Sequence, residues 1–121
     1  MQALHTISIP NACDGAPCEV PVRYAGSDQF AARLRKVVKE RAKWAKRENI
    51  SCYRVYDADL PDFAVAIDVY LGVGPSEGQR FAVIAEYQAP GTIDPQLARA
   101  RFEDACVIAP LILDIPSGNV F

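Results

Sequence analysis

The sequence predicts an α+β fold: a small antiparallel sheet, three strands plus a truncated fourth, packed against a basic N-terminal helix and a second helix. Three observations carry this expectation. Apolar residues recur at helical spacing from Phe30 to Ala45. Three runs between Cys52 and Tyr87 alternate with the period of a strand and are separated by turn residues. A second helical period follows Asp94. At 121 residues, 50% hydrophobic and 23% charged, the chain has the size and composition of one folded domain with one core.

Residues 1–26 hold Pro10, Gly15, Pro17, Pro21 and Gly26 around short apolar runs, and they read as an extended arm or linker with room for one edge strand. Residues 27–121 then read as the α+β domain. Ser27 or Asp28 suits an N-cap, and Phe30, Leu34, Val37, Val38, Trp44 and Ala45 trace a helical stripe to about Arg47. Residues 52–59 favour a strand, with Tyr53, Val55 and Asp57 on one face and Cys52, Arg54 and Tyr56 on the other. After the turn at Leu60-Pro61-Asp62, Phe63, Val65, Ile67 and Val69 form the core-facing set of a second strand. The loop from Gly72 to Gly78 leads to a third, Arg80 to Tyr87, and the short links favour antiparallel neighbours. Thr92 or Asp94 can cap a second helix with Pro95 near its first position, running to about Ile112 and strained near Pro110. Asn119 to Phe121, after a turn signal, open the truncated fourth strand.

The net charge of −2 conceals an asymmetry. Between Asp28 and Glu48 eight Lys or Arg face three acidic residues, a balance of +5, which leaves −7 for the rest. No window is apolar enough for a membrane span and the first residues lack a secretory pattern, so the expected location is cytoplasmic. The four cysteines are scattered. Cys13 and Cys18 would have to recruit distant ligands for a zinc site, and Cys52 and Cys106 fall in apolar elements where free buried thiols are common, so no metal site is expected.

The basic helix is the strongest functional candidate. Arg33, Arg35, Lys36, Lys39, Lys43, Lys46 and Arg47, with Arg54 on the following strand as an extension, form a cationic set suited to phosphate contacts and so to RNA. The bland alternative is a solvated helix face; a membrane-surface helix is weaker, because the apolar stripe must cover the sheet. Asp57 and Asp59, two apart on one strand face, could divide acid and base roles, yet no histidine or phosphate loop accompanies them and turn capping is the simpler reading. Tyr53, Tyr56, Tyr70 and Tyr87 could stack on unpaired bases, although strand aromatics more often pack a core. Neither His5 nor Gly72-Val73-Gly74 supports a role. No catalytic or cofactor-binding residue is assigned.

The run from Phe30 to Asp68, which contains CYRVYDADLP, together with APGTIDPQLARARF from Ala89 to Phe102 and the lead from Ile115 to Val120, resembles the segment opening the second methyltransferase half of the bacterial bifunctional 23S rRNA guanine methyltransferases. Those enzymes methylate two guanines, at N2 and at N7. The resemblance implies an accessory domain, a module of strand-strand-helix-strand-strand type, whose partners are 23S rRNA and the neighbouring methyltransferase domains. It also implies S-adenosylmethionine bound in a catalytic domain beyond this segment, whose glycine loop and Asp-Pro-Pro type motif do not occur here. Residues 1–26 have no counterpart by this comparison, and the Gly72–Gln79 loop is longer than the family's hairpin. The expected function is RNA binding and substrate positioning, non-catalytic alone; the alternatives are an interdomain module without RNA contact and a small enzyme using Asp57 and Asp59.

Overall fold

The computed structural model describes residues 5–13, 16–72, 78–88 and 91–121, and of residues 10–13, 16 and 117 it describes the backbone alone. Its longest element, α1 (Ser27–Glu48), forms because Phe30, Ala31, Leu34, Val37 and Ala45 share one face, and all five are buried. The N-cap is Gly26 rather than Ser27 or Asp28, and Ser27 lies inside the helix with its hydroxyl turned to another partner. The helix stops where Asn49 takes the left-handed conformation (φ 56°), its N–H reaching back to the Ala45 and Lys46 carbonyls.

Three antiparallel strands follow in chain order: β3 (Cys52–Asp57), β4 (Val65–Leu71) and β5 (Arg80–Glu86), with β4 central. Val65, Ile67 and Val69 point into the core as expected, and in β5 it is Ala82 and Ile84 that join them. Tyr70 and Val83 lie on the opposite, open face. Alternation fails in β3. A register shift between Arg54 and Tyr56 inserts a bulge, so Val55 and Tyr56 are both buried, and the strand ends at Asp57, short of Asp59. Cys52, expected as a buried thiol, is exposed on the sheet's outer side, whereas Cys106 is half-buried and desolvation raises its pKa.

After β5, Asp94 caps α2 (Pro95–Leu113) by accepting from the Gln96 N–H at 3.1 Å, with Pro95 in the first turn. Pro110 lies inside the helix one turn before its end and Asp114 closes it in the left-handed region. In place of the expected fourth strand there is a single parallel bridge, Val120 to Ala82, reinforced by Phe121 N–H to Ala82 C=O and Ile84 N–H to Phe121 C=O.

Residues 1–26 need a correction. In place of an arm with one strand, their described part is a hairpin of β1 (His5–Cys13) and β2 (Ala16–Val22), paired from His5–Val22 to Cys13–Ala16 with a shift after Ile9. Prolines are tolerated there because each strand of a two-stranded ribbon keeps a free edge. Ile7, Ile9, Val20 and Val22 are buried and join the same hydrophobic cluster as both helices and the three-stranded sheet.

The buried Tyr56 hydroxyl ties the turn after β3. It donates to the Phe63 carbonyl at 2.8 Å and accepts from the Leu60 N–H at 3.1 Å. Tyr56→Phe leaves both backbone groups unpaired, so urea unfolding should show a loss of about 2 kcal/mol. Desolvation raises the Tyr56 pKa, so its contribution is full below about pH 10, the ordinary tyrosine value, and is lost as pH rises beyond it.

Candidate nucleic-acid interface

At 100° per residue, Arg35, Lys36, Lys39, Lys43, Lys46 and Arg47 fall within an arc of about 120° on α1, opposite the buried stripe, and extend about 18 Å along it. All six are exposed, as is Arg33. No carboxylate interrupts that arc between Arg35 and Arg47, because Glu40, the one acidic residue in that stretch, stands at its border. Among the described residues Arg35, Lys36, Lys39, Lys43 and Lys46 make no ion pair. Arg47 lies 3.8 Å from its neighbour Glu48, and Arg33 pairs with Asp59 at 3.5 Å. Arg41 projects the other way: its Nε donates to the Arg54 carbonyl at 3.2 Å and its guanidinium lies 4.7 Å from the Trp44 ring centre, fastening α1 to β3. Lys46 and Arg47 also suit the negative end of the helix dipole.

Arg54 is placed apart from this arc. It reaches both Asp68 oxygens, at 2.8 and 3.2 Å, and lies 3.6 Å from Asp57, all on the open face of the sheet. The hydrogen bond to Asp68 raises its pKa above the ordinary arginine value. Because two carboxylates already hold it, its charge is less available to a phosphate than that of the α1 lysines. Arg54→Met should therefore change RNA affinity less than twofold in a fluorescence-anisotropy titration, unlike substitutions on α1.

The two aspartates do not act as a pair. Ala58 turns the chain with φ 50°, and Asp59 accepts from the Asp57 N–H at 3.3 Å while pairing with Arg33. Asp57 accepts from the Tyr87 hydroxyl, a bond that raises the Tyr87 pKa, and neutralises Arg54. Both carboxylates are committed to neighbours. The tyrosines divide: Tyr56 belongs to the core, Tyr53 packs edge-on to Trp44 at 6.4 Å, and Tyr70 and Tyr87 are exposed at 38% and 45%. Among the described residues no cluster of three His, Cys, Asp or Glu could hold a metal, and no helix is long and apolar enough to cross a membrane.

One group that positions this surface has no sequence signal. Asp104 of α2 is 3% exposed and sits at the start of α1, where it accepts from the Arg23 N–H at 2.9 and 3.1 Å, the Tyr24 N–H at 2.8 Å and the Ser27 hydroxyl at 2.7 Å. It joins the hairpin's exit, the N-terminus of α1 and α2 in one buried network. Nothing short of the tertiary fold brings residues so far apart in sequence together.

No family model matches the chain. Curated proteins do. The ribosomal RNA large subunit methyltransferase K/L of Methylococcus capsulatus is 43% identical over 96 residues, covering 78% of this chain and 12% of that protein. Those of Magnetococcus marinus and Pseudomonas fluorescens are 39% identical over 117 residues and 41% identical over 115, covering 92% and 91% of this chain. The chain thus spans 12–15% of the length of these relatives. The longer matches also take in part of residues 1–26, so part of that stretch, which the resemblance read from the sequence left without a counterpart, has one in these proteins.

Proposed function

Because this chain is related to one segment of the K/L ribosomal RNA large subunit methyltransferases, we propose that it is the RNA-binding, substrate-positioning module of such an enzyme. On this reading it works in the cytoplasm beside a catalytic domain that binds S-adenosylmethionine, and it has no methyl-transfer chemistry of its own. The observation that carries the proposal is the unpaired cationic arc of α1. In a chain of net charge −2 with pairing carboxylates elsewhere on its surface, five basic side chains on one helix face have no protein counter-charge among the described residues. Phosphates supply that counter-charge, and releasing their condensed cations supplies affinity without sequence readout. The proposed contacts come from Arg33, Arg35, Lys36, Lys39, Lys43, Lys46 and Arg47, with a minor part from Arg54. Filter binding of a large-subunit rRNA stem–loop to the purified protein tests it: retention lost on raising the salt supports the reading, and no retention at low salt removes it.

A second reading has one observation in its favour. The outer face of the sheet exposes Tyr70 and Val83, with Phe121 69% exposed and stacked near Phe81 at 6.5 Å. Such a patch suits docking against a neighbouring domain. This use of the sheet is compatible with RNA on α1, and a protein that bound no RNA would leave it as the function.

A further inference from the structure

The second half of α2 is apolar all round. From Ala105 to Leu113 the run ACVIAPLIL holds no charged, amide or hydroxyl side chain, although the core uses only one side of the helix. Ala105, Ile108, Ala109 and Leu113 are buried there, whereas Val107 is 47% exposed and Cys106 and Leu111 are half-buried. A surface helix ordinarily turns polar groups outward, and one that is apolar on every side is a helix that something covers. The outer side is also concave. Cys106, Val107, Pro110 and Leu111, with Asp114 and Ile115 where the chain leaves the helix, line an open groove of about 640 Å³.

The free groups of this groove are acceptors. Pro110 has no N–H, so the Cys106 carbonyl four residues back lacks its helical donor. No basic residue of α2 meets the negative end of its dipole, and the one cation there, Arg80 of β5, is taken by the Leu113 carbonyl at 2.8 Å. Asp114 makes no ion pair among the described residues, and neither does Glu86 at the other end. Desolvation, together with the charges of Glu86 and Glu103, raises the Cys106 pKa, so this end of the groove lies in a negative field.

We propose that this groove docks an amphipathic basic helix of a partner polypeptide, with apolar side chains against Val107 and Leu111 and a lysine or arginine at each end, near Asp114 and Glu86. Cys106 and Asp114 stand about 12 Å apart along α2. Basic residues seven apart on the incoming helix, with leucine-sized residues midway between them, match that length. An arginine or lysine at the Cys106 end also brings a donor for the unpaired carbonyl. Charge selects the class of partner. Carboxylates and a free carbonyl repel phosphate, so RNA is not the occupant. A second copy of this chain does not supply it either, because α1 keeps Phe30, Leu34 and Val37 in its own core and has only charge to offer. The inference goes beyond RNA binding and does not depend on it, since the arc of α1 and the outer side of α2 share no residue.

The test is NMR titration of the isotope-labelled protein with a synthetic alanine-based helical peptide that carries two arginines seven apart and two leucines midway between them. A mirror peptide with glutamates for the arginines runs in parallel. The basic peptide should shift the amides of Val107, Leu111 and Asp114 in a saturable way below millimolar concentration, and the acidic one should bind about tenfold more weakly. Val107→Lys, at an exposed position, should weaken the basic peptide about tenfold. Asp114→Asn, which keeps the left-handed cap because asparagine adopts it readily, should weaken it about threefold. The α1 variant K36E/K39E/K43E should leave it unchanged. Equal binding of the two peptides, shifts confined to residues outside the groove, or no response to either would overturn the proposal. So would groove shifts produced by an rRNA stem–loop, or dimers of the free protein in sedimentation that Val107→Lys dissolves.

Discussion

Asp104→Ala is expected to lower the unfolding free energy by about 3–5 kcal/mol, the largest effect of any single substitution considered for this fold. The carboxylate, 3% exposed, takes four hydrogen bonds, two from the Arg23 N–H and one each from the Tyr24 N–H and the Ser27 hydroxyl. Truncation leaves one buried and two partly buried donors unpaired and removes a negative charge from the N-terminal end of α1, where the dipole favours it. Urea unfolding of Asp104→Ala and Asp104→Asn gives the check. Asparagine keeps one acceptor oxygen, so its loss should be smaller; equal stability of the alanine variant and wild type would show the network to be of no consequence. Because Asp104 fixes how α1 meets α2, the basic arc depends on it for its placement.

Charge reversal at Lys36, Lys39 and Lys43 is expected to weaken binding to structured RNA by at least about 100-fold near physiological salt. Three attractive contacts become three repulsive ones, a change of six charges, and about 0.5 kcal/mol per screened charge already amounts to two orders of magnitude. These side chains are exposed and, among the described residues, free of ion pairs. Their reversal should therefore leave stability within about 0.5 kcal/mol, and an RNA effect cannot be put down to unfolding. Affinity unchanged in the reversed variant would mean that the arc is a solvated face and nothing more.

What the sequence made legible follows periodicity. The α1 stripe, the core-facing set of β4, the Asp94–Pro95 start of α2 and the extended run at Asn119–Phe121 all obey local rules that a chain written out on paper still displays. The hairpin of residues 5–22 stayed hidden because its prolines and glycines argue against strands, and only the burial of Ile7, Ile9, Val20 and Val22 against the helices outweighs them. In β3 the bulge at Val55 turned two successive side chains inward, which no strict alternation predicts. The cationic residues could be named from the sequence, but their division into an unpaired arc and a locked Arg54 required Asp68 to be seen opposite. Asp104, satisfied by partners more than seventy residues away, carries no local mark at all.

The salt dependence of RNA binding addresses the central claim most directly. For an rRNA stem–loop, log K against log salt concentration should fall with a slope of roughly −3 to −5, corresponding to four to six phosphates neutralised, and K36E/K39E/K43E should flatten that slope by about 3. Binding that does not respond to salt, or a slope that is the same in the reversed variant, would contradict the assignment of α1 as the surface that holds RNA.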